Sequence, residues 1–170
     1  MKIILKPLEG IEWNGNFISL GCSKTEVEGV FGNPQLVGQS YYYFQNELRF
    51  DFDKNGKLEF IEFLGGVDGC LNPVIYGISA FVCNASEVEE ILTEKNAGEV
   101  DDSEGEYSKC FLDISVGVYR EITPSDVLEM EQEMEEDGIP TEENEDLEAD
   151  RRRANHWGTI GMGIAGYYKR

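Results

Sequence analysis

Within YYYFQNELRFDFDKNGKLEFIEF, residues 41–63, apolar and aromatic residues alternate with polar ones on both sides of a short polar break. Leu48, Phe50 and Phe52 precede a DKNG turn, and Leu58, Phe60 and, after a one-residue slip at Ile61, Phe63 follow it. Period two about a turn of Asp, Asn and Gly predicts a β-hairpin. VIYGISAFVC (74–83), YSKCFLDISVGVYRE (107–121) and HWGTIGMGIAGYY (156–168) read as three more long strands, and MKIIL as a short one. Three helix starts are written in capping chemistry, where a side-chain oxygen accepts a free N–H and an acidic residue three positions on reaches back. Ser23 with Glu26 opens a helix that Gly32 and Pro34 close; Asn84 or Ser86 opens a second that Gly98 ends, and Asn84 with Glu87 fits the capping box. Thr123, Pro124 and Asp126 open the third, with proline at the first helical position, where its missing N–H costs nothing.

Single helices alternate with strands, yet the hairpin marks antiparallel pairing, so the expected class is α+β, an antiparallel sheet with helices packed on one side. The order of elements suggests two related helix-plus-meander units. The first has a helix at 23–32 and a meander at 40–63. The second has a helix at 85–97, a strand at 108–120, a helical insertion and a last strand at 156–168. One domain is expected over 1–170, with subunits 1–66 and 72–170, jointed where LGGVDGCLNP breaks the pattern, and an acidic insertion at about 123–153.

Composition narrows the function classes. A formal charge of −20 argues against a nucleic-acid binder, which needs clustered Lys and Arg, and against an anionic membrane surface. No apolar run approaches the roughly 20 residues of a membrane span, and MKIILKPLEG does not read as a signal peptide. Cys22, Cys70, Cys83 and Cys110 show no Cys-x-x-Cys spacing, so four buried, reduced thiols in a cytoplasmic setting are expected. No cofactor is called for.

DFDKNGKLEFIE places Asp51, Asp53, Asn55, Gly56 and Glu62 in the calcium-loop pattern. An EF-hand needs a helix on each side, however, and these flanks alternate at period two, so the hairpin accounts for the same residues. GMGIAG resembles a dinucleotide fingerprint but neither opens a helix nor leads to an acidic ribose partner. In a strand, Gly161, Gly163 and Ala165 would line one face and leave room for the close approach of a helix, while Ile160, Met162 and Ile164 face the core. Asn84-Ala85-Ser86 is a sequon better read as a helix cap, and His156, the sole histidine, has no nucleophile in a known local signature.

The remaining feature is charge. Glu121 to Arg153 carries 14 acidic side chains against three arginines, a net of −11 in about a fifth of the chain. Val127, Met130 and Met134 form a thin apolar stripe on the first helix of this segment; Gly138 and Pro140 break it, and Thr141 can cap a second helix in which Glu148 and Arg152 pair at i, i+4. Like charges four apart, Glu129 with Glu133 and Glu131 with Glu135, each cost a few tenths of a kcal/mol. A basic partner would offset that cost and be steered by the field. The expected contacts are Glu129, Glu131, Glu133, Glu135, Glu136, Asp137, Glu142, Glu143 and Asp146.

FISLGCSKTEVEGVFGNP followed by YYYFQNELRFDFDKNGKLEFIEF resembles the repeat of the SmpA/OmlA and β-lactamase-inhibitor-like proteins over about residues 16–64. CFLDISVGVYREITPSDV and HWGTIGMGIAGYY resemble small immunity proteins of bacterial polymorphic and contact-dependent toxin systems. The resemblance implies a non-catalytic, cytoplasmic inhibitor that binds a cognate toxin, of which many are basic nucleases, with no nucleic acid or membrane as partner. The lipoproteins and secreted inhibitors of the first group carry export signals that this sequence does not show. A calcium-binding module on the Asp51–Glu62 loop and a protein-protein adaptor unrelated to toxins are the alternatives.

Overall fold

The computed structural model describes residues 1–169. Its first half runs Lys2–Lys6 (β1), Gly10–Trp13 (β2), Asn16–Ser19 (β3), helix Lys24–Phe31 (α1), then Gln35–Val37 (β4), Ser40–Tyr43 (β5), Leu48–Phe52 (β6) and Leu58–Phe63 (β7). The second half runs Asn72–Ile75 (β8), Ile78–Ser79 (β9), helix Ala85–Asn96 (α2), Val100–Asp101 (β10), Ser108–Phe111 (β11) and Val116–Tyr119 (β12). Helices Pro124–Glu136 (α3) and Glu145–Ala154 (α4) follow, then Thr159–Gly163 (β13) and a 3-10 turn at Tyr167–Lys169.

The fold is α+β, with mostly antiparallel sheets and four α-helices among the described residues. Each half repeats one order: short strands, a helix, a four-stranded meander. The repeat reaches the sequence at the helix starts, where Cys22-Ser23-x-x-Glu26-Val27 matches Cys83-Asn84-x-x-Glu87-Val88. Glu26 and Glu87 each accept their cap residue's N–H, at 2.8 and 3.0 Å, and Val27 and Val88 are both fully buried. The small sheet has the order β3-β2-β1-β8-β9 and the large one β10-β11-β12-β13-β7-β6-β5-β4. The halves therefore meet twice, at the parallel pair β1–β8 and at the antiparallel pair β7–β13. One face of the large sheet, with Phe111, Val116, Met162, Ile61 and Phe50 in register across neighbouring strands, joins Ile3 and Ile11 of the small sheet and Val27, Val88 and Leu92 of the helices in one core.

The predicted long strands divide at backbone positions that turn left-handed. VIYGISAFVC is a hairpin, because Tyr76 and Gly77 both have positive φ (48° and 90°) and so form the two-residue turn that joins β8 to β9. YSKCFLDISVGVYRE is likewise two paired strands, β11 and β12, with Ser115 at φ 51° between them. The β2–β3 hairpin, absent from the sequence reading, turns on Asn14-Gly15 (φ 48° and 77°). The slip in the β6–β7 hairpin falls at Glu59, since Phe52 pairs with Leu58 and Asp51 with Phe60. Phe60 thus leaves the core side for the opposite face. Helix α2 ends at Asn96, two residues before Gly98, with Ala97 taking the left-handed cap at φ 54°. Of the cysteines only Cys22 is buried, where desolvation and then Glu26 push its thiol up to about 11; Cys70 is exposed and Cys83 and Cys110 are half-buried.

Strands flank Asp51–Glu62 on both sides, so the helices of an EF-hand are not there. Asp53 accepts the N–H groups of Asn55 (2.8 Å) and Lys57 (2.9 Å) in the turn, while Asp51 and Glu62 pair with Arg49 at 3.1 and 3.0 Å.

Beta13 serves two faces at once. Ile160 and Met162 are buried in the core, as expected, and Gly161 and Gly163 make room on the other side. The neighbour they admit is not one of the α-helices, as expected, but the chain itself, which after β13 folds back across the sheet. Tyr167 stacks on Phe60 with ring centroids 4.5 Å apart and 6° between planes, and the Tyr168 ring lies over Gly117 and Gly161. Ile164 and Ala165 fall outside the strand, in this returning segment. A Cβ on Gly163 would sit 2.4 Å from Tyr167 Cβ, a contact near the backbone that a rotamer change cannot relieve. Gly163→Ala is therefore expected to destabilise the protein by about 1–3 kcal/mol, measured by urea denaturation.

Candidate functional site

The acidic insertion occupies a defined place in the repeat. Beta6 and β7 are joined by the tight turn Asp53–Lys57, whereas the equivalent strands β12 and β13 are joined by residues 120–158, from which α3 and α4 project. The insertion is an enlarged hairpin turn. Its helices fold locally for reasons visible in their ends. Thr123 caps α3, accepting the Asp126 N–H at 3.1 Å, while the Asp126 carboxylate accepts the Thr123 N–H at 2.7 Å. At the other end Gly138 takes φ 70°, and Ile139 N–H and Gly138 N–H donate to the carbonyls of Met134 (2.8 Å) and Glu135 (3.2 Å), which is a Schellman stop. Asn144, not Thr141, caps α4, its Oδ1 accepting the Leu147 N–H at 3.0 Å. An Asn side chain satisfies that donor directly, and the three residues before it complete the connection.

The hairpin has its own small core. Val127, Leu147 and Ala154 are buried there, with Ile122, Met130 and Met134 packed around them, so the predicted stripe on α3 is real and faces α4. Separate contacts dock this unit to the body. Arg120, buried, donates from Nε to the Glu106 carbonyl (2.8 Å) and from Nη1 to that of Ala154 (2.6 Å). Tyr107 donates its hydroxyl to Asp126 at 2.7 Å. Arg152 and Arg153 both pair with Asp68 in the loop between the halves, Arg153 at 2.8 Å. The expected Glu148–Arg152 pair does not form, because a carboxylate on the body lies within reach of Arg152. Arg151 alone closes the hairpin, donating from Nε to Glu131 at 2.6 Å.

Of the nine predicted contact residues, eight are exposed: Glu129, Glu133, Glu135, Glu136, Asp137, Glu142, Glu143 and Asp146. Glu131 is the correction. It is half-buried against Arg151, since it lies one turn from Val127 on the α4 side, and its charge is spent inside the hairpin. The sequence reading missed Asp68, Tyr107 and Arg120, none of which carries a local motif. It also missed Leu128 and Ile139, which are 55% and 48% exposed among the carboxylates.

The two helices obey opposite charge rules. Helix α4 has Glu145, Asp146 and Glu148 in its first turn and Arg151–Arg153 in its last, which the helix dipole favours at both ends. Helix α3 has no basic residue in its last turn, where Glu133, Glu135, Glu136 and the C-cap Asp137 stand against the negative end of the dipole. These four carboxylates are in none of the ion pairs of the described residues. Each such placement costs about 0.3–1 kcal/mol at low ionic strength, on top of the like-charge pairs.

Comparison with protein-family models, with curated proteins and with solved structures finds no match to the chain.

Because these carboxylates oppose the dipole, Glu135→Gln combined with Glu136→Gln is expected to stabilise the isolated protein by about 0.5–1.5 kcal/mol at low salt, with the gain shrinking in 0.5 M NaCl, measured by urea denaturation. The Asp68 pKa is lowered by its bond from Arg153 and by the charge of Arg152. A folded value below the unfolded one contributes stability above the ordinary carboxylate range, lost as pH falls through the folded value. Hydrogen-exchange protection of α4 should thus hold from pH 7 down to about 4 and fall below it, and Asp68→Asn should lower it at neutral pH while the sheet stays protected.

Proposed function

We propose that this protein is an immunity protein, a non-catalytic inhibitor that binds a cognate bacterial toxin domain with a basic surface, a nuclease, through the end of α3 and the connection to α4. The observation that carries this reading is the acidic last turn of α3. Folding gains nothing from it, and a cationic surface placed against it would cancel both the dipole and the mutual repulsion. The placement on an enlarged turn supports the same reading, since it holds the carboxylates away from the sheets on a unit with its own caps and core. Leu128 and Ile139 supply the apolar contact that a charged rim lacks.

The reading needs no reaction. The abundance of carboxylates makes their proximity uninformative about acid-base chemistry, and His156 is occupied through Nδ1 with the Arg152 carbonyl at 2.6 Å. No helix of the described residues is long and apolar enough to cross a membrane. We place the protein in the cytoplasm, where a toxin would meet its target.

The toxin is to be found by co-purification with the product of the adjacent gene. Steered association depends on a screening length that falls from about 10 Å at 0.1 M salt to about 3 Å at 1 M. Affinity for the toxin is expected to drop at least tenfold between about 0.05 and 0.5 M NaCl, chiefly through the on-rate. Glu133→Gln with Glu135→Gln, Glu136→Gln and Asp137→Asn should weaken binding comparably and flatten the salt dependence. Affinity unchanged by both salt and these substitutions would overturn the acidic-face mechanism.

A further inference from the structure

The core side of the large sheet carries one apolar row from strand to strand, with Met162 opposite Ile61, Ile61 opposite Phe50 and Phe50 opposite Tyr41. The next residue in that row is Leu36 of β4, opposite Tyr41, and there the sheet stops, because β4 is its edge. All three residues of β4 are exposed. Leu36, at 64%, ends the row uncovered, and Val37, on the other face, is 54% exposed.

The backbone of this edge is open as well. Val37 and Ser40 flank the two-residue turn Gly38-Gln39, with Gly38 at φ 62°, so they are the pair that exchanges both hydrogen bonds. Leu36, one place further, turns its N–H and C=O away from β5, and neither group has a hydrogen-bond partner among the described residues. Sheet edges are ordinarily guarded by charge. The opposite edge, β10, is guarded in this way, with Glu99, Asp101 and Asp102 exposed along it. Residues 32–46, which include β4, carry no charge at all in a chain of −20. What guards β4 is brevity and Pro34, which offers no N–H.

We propose that β4 is a self-association edge, at which two copies of the chain pair antiparallel about a two-fold axis at Leu36 and join their large sheets into one. Each Leu36 N–H then donates to the Leu36 carbonyl of the second copy. The two Leu36 side chains meet on the core side and carry the apolar row across, while Val37 lies opposite Gln35 of the second copy on the other face. A second copy is the occupant that the charges favour. Two chains of −20 repel wherever their acidic surfaces meet, and β4 is a charge-free edge remote from the insertion. Four strand spacings separate β13 from β4, and in the dimer the two β13 strands stand about 43 Å apart, several screening lengths at 0.1 M salt. The contact is small, since one three-residue strand per copy covers well under the ~800 Å² that each partner buries in a stable complex. The dimer is therefore transient, with a Kd on the order of 0.1 mM. This surface is independent of the toxin-binding reading.

The test is sedimentation velocity on the whole chain from about 10 μM to about 1 mM, with hydrogen exchange of the Leu36 amide followed by NMR. The sedimentation coefficient is expected to rise toward that of a dimer across this range, and Leu36 exchange to slow about threefold between its ends. Association should tighten about threefold from about 0.05 to 0.5 M NaCl as the mutual repulsion is screened, the opposite sign from toxin binding. Leu36→Lys should weaken association at least tenfold even though it lowers the net charge, with the urea midpoint unchanged because the side chain is largely exposed. Phe17→Lys, at the exposed edge strand β3 of the small sheet, should leave association intact. A chain monomeric at about 1 mM in 0.5 M NaCl, as when only a strand of another protein pairs there, would overturn the proposal. So would a dimer that survives Leu36→Lys or is lost with Phe17→Lys, or a Leu36 amide that exchanges at one rate at both concentrations.

Discussion

The antiparallel pairing of β7 with β13 is the joint on which the rest of the structure depends. It sets the last strand of each half side by side, with Ile160 opposite Phe63 and Met162 opposite Ile61, and so merges two four-stranded meanders into one sheet. Beta13 also pairs with β12 on its other side, which fixes the exit and re-entry points of residues 120–158 one strand spacing apart, about 4.8 Å. Whatever is inserted there must return to its starting place. Two antiparallel helices of similar length do so, and α3 and α4 are such a pair. The same strand explains the glycines: with the core on one side and the returning tyrosines on the other, Gly161 and Gly163 have no room for a side chain.

Beyond that joint, the hairpin is held by polar contacts more than by apolar burial. Its own core is a handful of residues around Val127 and Leu147, separate from the main one, and it meets the body through Arg120, Tyr107 and Asp68. The Asp68 pairs are largely exposed, and such pairs contribute about 0–1 kcal/mol each, so they set orientation more than stability. Arg120 is different. Its bonds join β12, the loop before β11 and the end of α4 in a buried place where an unmade bond is costly, which makes it the firmest attachment the hairpin has.

What the sequence revealed and what it withheld divide along a physical line. Features governed by local chemistry were legible: the Ser23, Asn84 and Thr123 caps, the DKNG turn, the Val127–Met134 stripe, the two faces of β13 and the doubled architecture. Position-dependent choices of backbone sign were harder. Tyr76 and Ser115 take positive φ, which their residue types do not advertise, and each divides a run of apolar residues that reads as one strand. Asn14-Gly15 did advertise its turn, and its short flanking strands hid it. Long-range pairings were not legible at all. Asp68 is 84 and 85 residues from the arginines it binds, and no local spacing rule reaches that far. The same holds at the acidic surface, where composition gave the region, but only the packing of α3 on α4 separates Glu131, which is paired, from its exposed neighbours.

The placement of positive charge answers how so acidic an insertion stays on an acidic body. With −11 on residues 121–153 and hence −9 on the remainder, the two parts repel, and uniform mixing of the arginines among the carboxylates would leave that repulsion in place at the contact. Instead Arg152 and Arg153 stand at the root of the hairpin on Asp68, Arg151 closes it from inside, and Arg120 reaches it from the body. The cations are concentrated where the hairpin meets its neighbours, at short distances where Coulomb attraction is strongest. The far end of α3 is left with carboxylates alone. Negative charge there costs the folded state a fraction of what it would cost at the root, because separation and water both screen it, and a strong outward field coexists with a stably docked insertion.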